Sequence, residues 1–209
     1  MKRRYTSEQL LEIYRRIELP DKKMSANLDQ IPEYDYKKEF RSYLDGLNSS
    51  LRIGEGLILY GPYSTGKSSL AAIVLKEAVL YGCIGFWVRG EHLTAAKMEG
   101  KMFDEKTTVI DRCLEVPLLV IDELHLREKT VYSNILVDEI IRERIDYQLP
   151  TVLTMNFGLA ELEENYPSIS AILDELGKRL HVTGKDFRRG GNTKKPKIKR
   201  NSDGTTDIF

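Results

Sequence analysis

Residues 56–75 read GLILYGPYSTGKSSLAAIVL. A short apolar strand, GLILY, runs into a loop, and the loop opens a helix. Within it, residues 61–68, GPYSTGKS, satisfy G-x-x-x-x-G-K-[ST]. The spacing has a physical cause. Gly61 and Gly66 let the backbone fold so that successive N–H groups point inward at phosphate oxygens. The helix starting near Lys67 adds its positive N-terminal end. Lys67 is placed to reach the β- and γ-phosphates of ATP, and the Ser68 hydroxyl to ligate Mg²⁺. Pro62, Tyr63, Ser64, Thr65 and Ser69 complete the expected cradle. A Gly-Ser turn with an exposed lysine is the plain alternative, but it accounts for neither the strand before the motif nor the helix after it.

Downstream, strand and helix patterns alternate. CIGFWVR (83–89), PLLVID (117–122), TVLTMN (151–156) and HVTG (181–184) read as strands. PLLVID has no polar alternation, the mark of a strand buried on both faces of a parallel sheet. Helical patterns lie between them: SSLAAIVLKEAVLYG with Gly82 as its C-terminal cap, 91–102, 104–115, 132–147 ending before Pro150, 159–166 and 169–180. This order predicts βαβ units and a parallel sheet covered by helices. Upstream, Thr6 or Ser7 can cap a helix running to about Leu19, with Leu10, Leu11, Tyr14 and Ile17 on one face. Residues 21–35 are polar and read as a linker. Residues 36–50 read as an amphipathic helix with Phe40, Tyr43, Leu44 and Leu47 in its stripe.

Three further positions carry candidate chemistry. LLVIDE (118–123) ends a buried strand in two carboxylates about 55 residues after the loop. There, Asp122 is expected to hold Mg²⁺ and Glu123 to orient and polarise the attacking water. Asn156, at the end of TVLTMN, is placed to contact the γ-phosphate and that water. By itself an Asn after a strand is more often a turn residue. Arg179, in ILDELGKRLHV, can stabilise charge on the transferring phosphoryl group from a neighbouring subunit. Taken alone, Lys178 and Arg179 better suit the last turn of a helix.

Composition bounds the rest. Charged residues make up 31% of the 209 and apolar ones 41%, enough for a core. No apolar run approaches the roughly 20 residues of a membrane span, and the basic N-terminus lacks the apolar stretch of a signal peptide. The expected location is therefore the cytoplasm. Cys83 and Cys113 form no C-x-x-C pair and read as reduced thiols in apolar surroundings. Net charge is zero but uneven: residues 185–200 hold eight basic residues against one acid. Such a tail either reaches for phosphates or is simply solvated.

Phosphate loop, IDE strand, TMN strand and a late R-L segment follow one another as in AAA+ ATPases. The sequence most resembles bacterial helicase loaders of the DnaC/DnaI type and the IstB-type ATPases that assist transposition. The likeness rests on ANLDQIPEY with GEGLILYGPYSTGKSSLA, on LLVIDELHLREK, on ERIDYQLPTVLTMNF and on LGKRLHVTGKDFRR. It implies a P-loop NTPase parallel sheet sandwiched by helices, with little or no C-terminal helical lid. The ATPase domain is expected over 26–189, after an N-terminal helix (1–25) that is a candidate partner-binding segment, and before a mobile basic tail (190–209). The resemblance makes Arg179 a candidate finger acting in trans and Arg188 a nucleotide sensor in cis. Arg144 matches an arginine of the family's long helix, with no role fixed. Two departures are Tyr63-Ser64-Thr65, where the family has smaller residues, and Gly177-Lys178, where an acid often precedes the arginine.

The function this implies is ATP-dependent loading of a replicative helicase, with single-stranded DNA and self-association in an ATP-dependent oligomer. The alternative is an ATPase assisting a transposase on duplex DNA. A small P-loop kinase fits the length, but the Asp-Glu pair suits water attack better than transfer to a bound acceptor.

Overall fold

The computed structural model describes residues 2–93, 109–124, 131–165 and 167–184, with backbone alone for 131–135. Five strands form one parallel sheet: β1 (Gly56–Tyr60), β2 (Phe86–Arg89), β3 (Leu119–Leu124), β4 (Thr151–Met155) and β5 (Gly177–His181), in the order β2-β3-β4-β1-β5. The central strand pair, β1 with β4, aligns Leu57 with Val152 and Tyr60 with Met155. This register brings the loop after β1 beside the end of β4.

Successive strand residues alternate between two cores, as the period of two requires. Leu57, Leu59, Trp87, Val120, Val152 and Leu180 face a core shared with α1 (Ser7–Arg16), α3 (Asp35–Ile53) and α4 (Lys67–Leu80). Ile58, Phe86, Ile121, Leu153 and Met155 face the opposite one. That second core is closed by α5 (Val109–Glu115), α6 (Val131–Asp146), α7 (Leu159–Asn165), α8 (Pro167–Ala171) and α9 (Leu173–Leu176). Both faces are covered, so the central strands carry no polar alternation.

Local signals explain most boundaries. Thr6 caps α1 through a reciprocal box with Gln9, its hydroxyl accepting from Gln9 N–H and the Gln9 side chain accepting from Thr6 N–H. At the end of α4, the amides of Gly82 and Cys83 close on the carbonyls of Val79 and Ala78, the cap expected there. Cys113 is buried and Cys83 half-buried, and burial pushes their thiols up to about 12 and about 11. Both stay protonated and weakly reactive at neutral pH.

Four expectations need correction. The first helix ends at Arg16, not near Leu19, and Ile17 and Leu19 turn into the core. The 21–35 stretch is not a bare linker: it forms α2 (Asp21–Met24) and a 3₁₀ turn, Leu28–Gln30. It is clamped by Lys76, whose Nζ donates to the carbonyls of Met24 (2.7 Å) and Ala26 (2.8 Å). The stretch 169–180 is not one helix, since α9 stops at Leu176 and the chain is already in β5 by Gly177. At Gly177, φ is 145°, and a Cβ would sit 2.3 Å from the Gly56 carbonyl oxygen. Only glycine lets β5 dock against β1 there. Finally, the last strand is Gly177–His181 rather than 181–184, so Arg179 lies in an edge strand and not in a helical turn.

Arg144 acquires a role that sequence left open. It is fully buried on α6. Its guanidinium donates to Thr151 Oγ1 (2.9 Å) and to the carbonyls of Cys113 (2.7 Å), Val116 (2.9 Å) and Pro150 (2.9 Å). Burial lowers its pKa to about 10, which leaves it charged at neutral pH. It ties the turn into β3 to the turn into β4, the two strands that carry the acids and Asn156. Arg144→Met should strand these carbonyls without donors, destabilising the fold by about 3 kcal/mol or more. A melting temperature lower by roughly 6–12 °C is expected. A thermal melt within about 2 °C of wild type would remove this role.

Candidate nucleotide-binding site

The loop after β1 turns back over the sheet because its two glycines lie in positive φ, 133° at Gly61 and 98° at Gly66. A Cβ on Gly61 would meet the Val182 carbonyl oxygen at 2.5 Å, so the loop can start only on glycine. Gly66 caps α4 with no side-chain bond, and the first turn of α4 holds no acid. The positive end of a 14-residue helix is thus turned toward the loop. Lys67 is 4% exposed. Its Nζ donates to the carbonyls of Gly61 (2.8 Å) and Pro62 (2.5 Å) and lies 3.4 Å from Thr65 Oγ1. Burial depresses its pKa to about 8, against the pull of Asp122 and Glu123.

The two acids come from a bulge in β3. Ile121 pairs with Leu153, but Leu124 pairs with Met155, so β3 carries one residue too many. Within the bulge Glu123 has a left-handed backbone, φ 58°. Non-glycine residues at such angles cost about 1–3 kcal/mol and gather at functional sites. The Thr154 hydroxyl on β4 fills the gap, accepting from Glu123 N–H (2.8 Å) and donating to Asp122 Oδ1 (2.7 Å). Asp122 is 5% exposed. Burial raises its pKa, opposed by hydrogen bonds from Thr154 and Ser68. A buried carboxylate beside a serine hydroxyl is the hard-oxygen donor set that Mg²⁺ takes along with substrate phosphates.

These elements enclose a cleft of about 410 Å³, within the range of small-molecule sites. The loop from Tyr63 to Ser69 lines it together with Glu123 and Asn156. The structure therefore brings together the residues that sequence nominated on three separate strands. Asp122 is buried and tied to Thr154. Arg179 does not join them: it sits on β5, exposed, with Nη2 donating to Asp174 Oδ1 (2.6 Å). Arg188 and the basic tail lie outside the described residues.

Sequence reading missed part of the lining. Lys22, Lys23, Ser25, Ala26, Asn27, Gln30 and Ile31 line the same cleft. Lys23 Nζ donates to Ser69 Oγ at 3.1 Å and adds a second cation beside the loop. No motif marks 22–25, since a lysine pair in a polar stretch looks the same when solvated. Thr154 was missed too, as a β-branched residue in a buried strand reads as packing.

A parallel sheet with a phosphate loop after β1, an acid pair on β3 and a polar amide at the tip of β4 defines a P-loop ATPase of the AAA+ type. The chain belongs to the family of IstB-like ATP binding proteins, whose model matches residues 8–195. It is also similar to the replicative helicase loader DnaC of Escherichia coli (strain K12), 24% identical over 162 residues. That match covers 70% of this chain and 64% of the relative, so the chain spans a little under two thirds of that protein's length. A crystal structure of the DnaC helicase loader superposes with a TM-score of 0.68 at 22% identity, covering 78% of this chain and 99% of that one. The replication initiator DnaA bound to AMPPCP and single-stranded DNA superposes with a TM-score of 0.64 at 14% identity, covering 77% and 50%. At these identities the structural likeness establishes the fold.

Proposed function

We propose that this protein is an ATP-dependent loader of a replicative DNA helicase, switching its hold on the helicase and on single-stranded DNA as it hydrolyses ATP. The observation that carries the hydrolytic part is the cleft that Glu123 and Asn156 line together with the phosphate loop and its Lys67. Lys67 and the loop amides hold the triphosphate. Ser68 and Asp122 would hold Mg²⁺, which supplies charge neutralisation on the β- and γ-phosphates. Glu123 accepts a proton from the water that attacks the γ-phosphorus, and the bond from that phosphorus to the β–γ bridging oxygen breaks, releasing ADP. Asn156 orients the same water. Arg188 belongs to this reading as a nucleotide sensor in cis.

Arg179 enters the reading as a finger acting on a neighbouring subunit's nucleotide. What supports this is its exposure on an edge strand, away from its own cleft. ATP would then favour an oligomer. The DNA part is supported by DnaC among the relatives and by an initiator solved with single-stranded DNA among the fold neighbours. The setting is the cytoplasm, and among the described residues no helix is long and apolar enough to cross a membrane. The second reading, an ATPase assisting a DNA transposase, is favoured by the family match itself.

For the helicase contact, the N-terminal segment is the candidate. Ile17 is buried in the core, while Leu10, Leu11 and the mostly buried Tyr14 line a groove of about 630 Å³ with Met24, Leu28 and Ile73. Deleting residues 1–20 would therefore remove core as well as surface. The cleaner test is a pulldown with the host's replicative helicase, with ATP, without ATP, and with Lys67→Ala. ATP-dependent capture that Lys67→Ala abolishes is the expected result. No capture under any condition would overturn the loader reading in favour of the transposase helper, with the transposase as the next bait.

A further inference from the structure

Thr154 is the last residue but one of β4, 1% exposed, among Val152, Leu153 and Met155. A valine would pack there equally well, yet the position carries a hydroxyl. That hydroxyl has one proton to give. It gives it to Asp122 Oδ1 at 2.7 Å, and it accepts from the Glu123 amide at 2.8 Å. The result is a directed chain from amide through hydroxyl to carboxylate, in which each bond polarises the next. The bulge makes the chain necessary. With one extra residue between Ile121 and Leu124, Glu123 N–H falls out of step with the β4 ladder. The Thr154 oxygen takes the place of the missing carbonyl. It thereby holds the φ 58° backbone that turns Glu123 toward the cleft.

We infer that Thr154 is a positioning residue for ATP hydrolysis, one hydroxyl that fixes both the cation-holding carboxylate of Asp122 and the backbone that aims Glu123 at the attacking water. This rests on the hydrolytic reading of Asp122 and Glu123 given above. Thr154 touches neither nucleotide nor water; it acts through the two acids. The phosphate-facing part of the loop has its own bonds, from Thr65 and Lys67 to the Gly61 and Pro62 carbonyls, and Thr154 reaches the loop only through Asp122, which Ser68, the other expected Mg²⁺ ligand, also bonds. The hydroxyl therefore governs turnover and the cation requirement rather than affinity for the triphosphate.

The test compares wild type with Thr154→Val and Thr154→Ser in the full chain. Four readouts are needed: phosphate release from ATP, binding of a fluorescent ATP analogue without metal, the Mg²⁺ concentration for half-maximal turnover, and melting temperature. Thr154→Val should lower kcat by roughly 10–100-fold, raise the half-maximal Mg²⁺ several-fold, and leave metal-free analogue affinity within about threefold. Thr154→Ser should restore kcat to within about threefold of wild type, which loss of mere packing would not do. If the valine variant fails to fold, Thr154→Cys takes its place. A thiol of similar size donates weakly, so kcat should fall for cysteine and hold for serine. Unchanged kcat and Mg²⁺ dependence in the valine or cysteine variant, or equal impairment of serine, would overturn the inference alone. A wild-type chain that releases no phosphate from ATP would overturn the hydrolytic reading and this inference with it.

Discussion

Glu123→Gln is expected to bind ATP as tightly as wild type and to hydrolyse it at least about 100-fold more slowly. The substitution keeps size and hydrogen-bonding reach, and removes only the group that can accept the water's proton. It also keeps the strained backbone: glutamine meets the same penalty as glutamate at φ 58°, so the bulge and its bond to Thr154 should survive. Stability and binding therefore serve as internal controls. The measurement is single-turnover phosphate release beside an analogue titration. Turnover unchanged from wild type would mean that Glu123 is not the base. The site would then be one that binds ATP and activates water elsewhere, or a nucleotide-gated scaffold whose slow hydrolysis needs no carboxylate.

Lys67→Ala should lower ATP affinity by roughly 100-fold or more, the scale of two charge-assisted bonds to phosphate oxygens. The geometry adds a pH signature. The Lys67 ammonium is buried against carbonyls of its own loop, and burial brings its pKa down to about 8. A triphosphate stabilises the charged form, so the pKa must rise on binding and a proton is taken up at alkaline pH. The sign follows: affinity is flat below about pH 8 and falls by up to tenfold per unit above it. Titrations from pH 6.5 to pH 9.5 check this, and the slope should vanish in Lys67→Ala. A wild-type affinity with no decline above pH 8 would show that Lys67 stays charged in the free protein, despite its burial.

Much of the site was legible because its parts are local. The loop's glycine spacing, its lysine and the helix start lie within a few residues, and each has a steric or electrostatic reason that no distant contact changes. The LLVIDE strand announces itself through a continuous apolar run ending in two acids, and TVLTMN through a run of β-branched and apolar residues ending in an amide. The stretches that misled are those without a period. A four-residue α9 and the five-residue α8 are too short to display one. Strand β5 has a single buried residue, Leu180, because it is an edge. The lysines of α2 looked like a solvated linker, since nothing nearby reveals that Lys76 folds their segment over the cleft.

The sequence by itself determined that this chain folds a parallel α/β sheet around a phosphate loop, and which residues carry the loop's chemistry. Those features depend on spacing and hydrophobic pattern, which are properties of the chain. Only the tertiary structure decided which further groups the chemistry leans on. Thr154 meets Asp122 and Glu123 because β3 and β4 pair with a bulge. Lys23 meets Ser69 because α2 folds back on α4, and Arg144 meets the Cys113 carbonyl before β3 because α6 packs against α5. Hydrogen-bond partners 30 or more residues apart are set by register and packing, and a linear sequence displays neither.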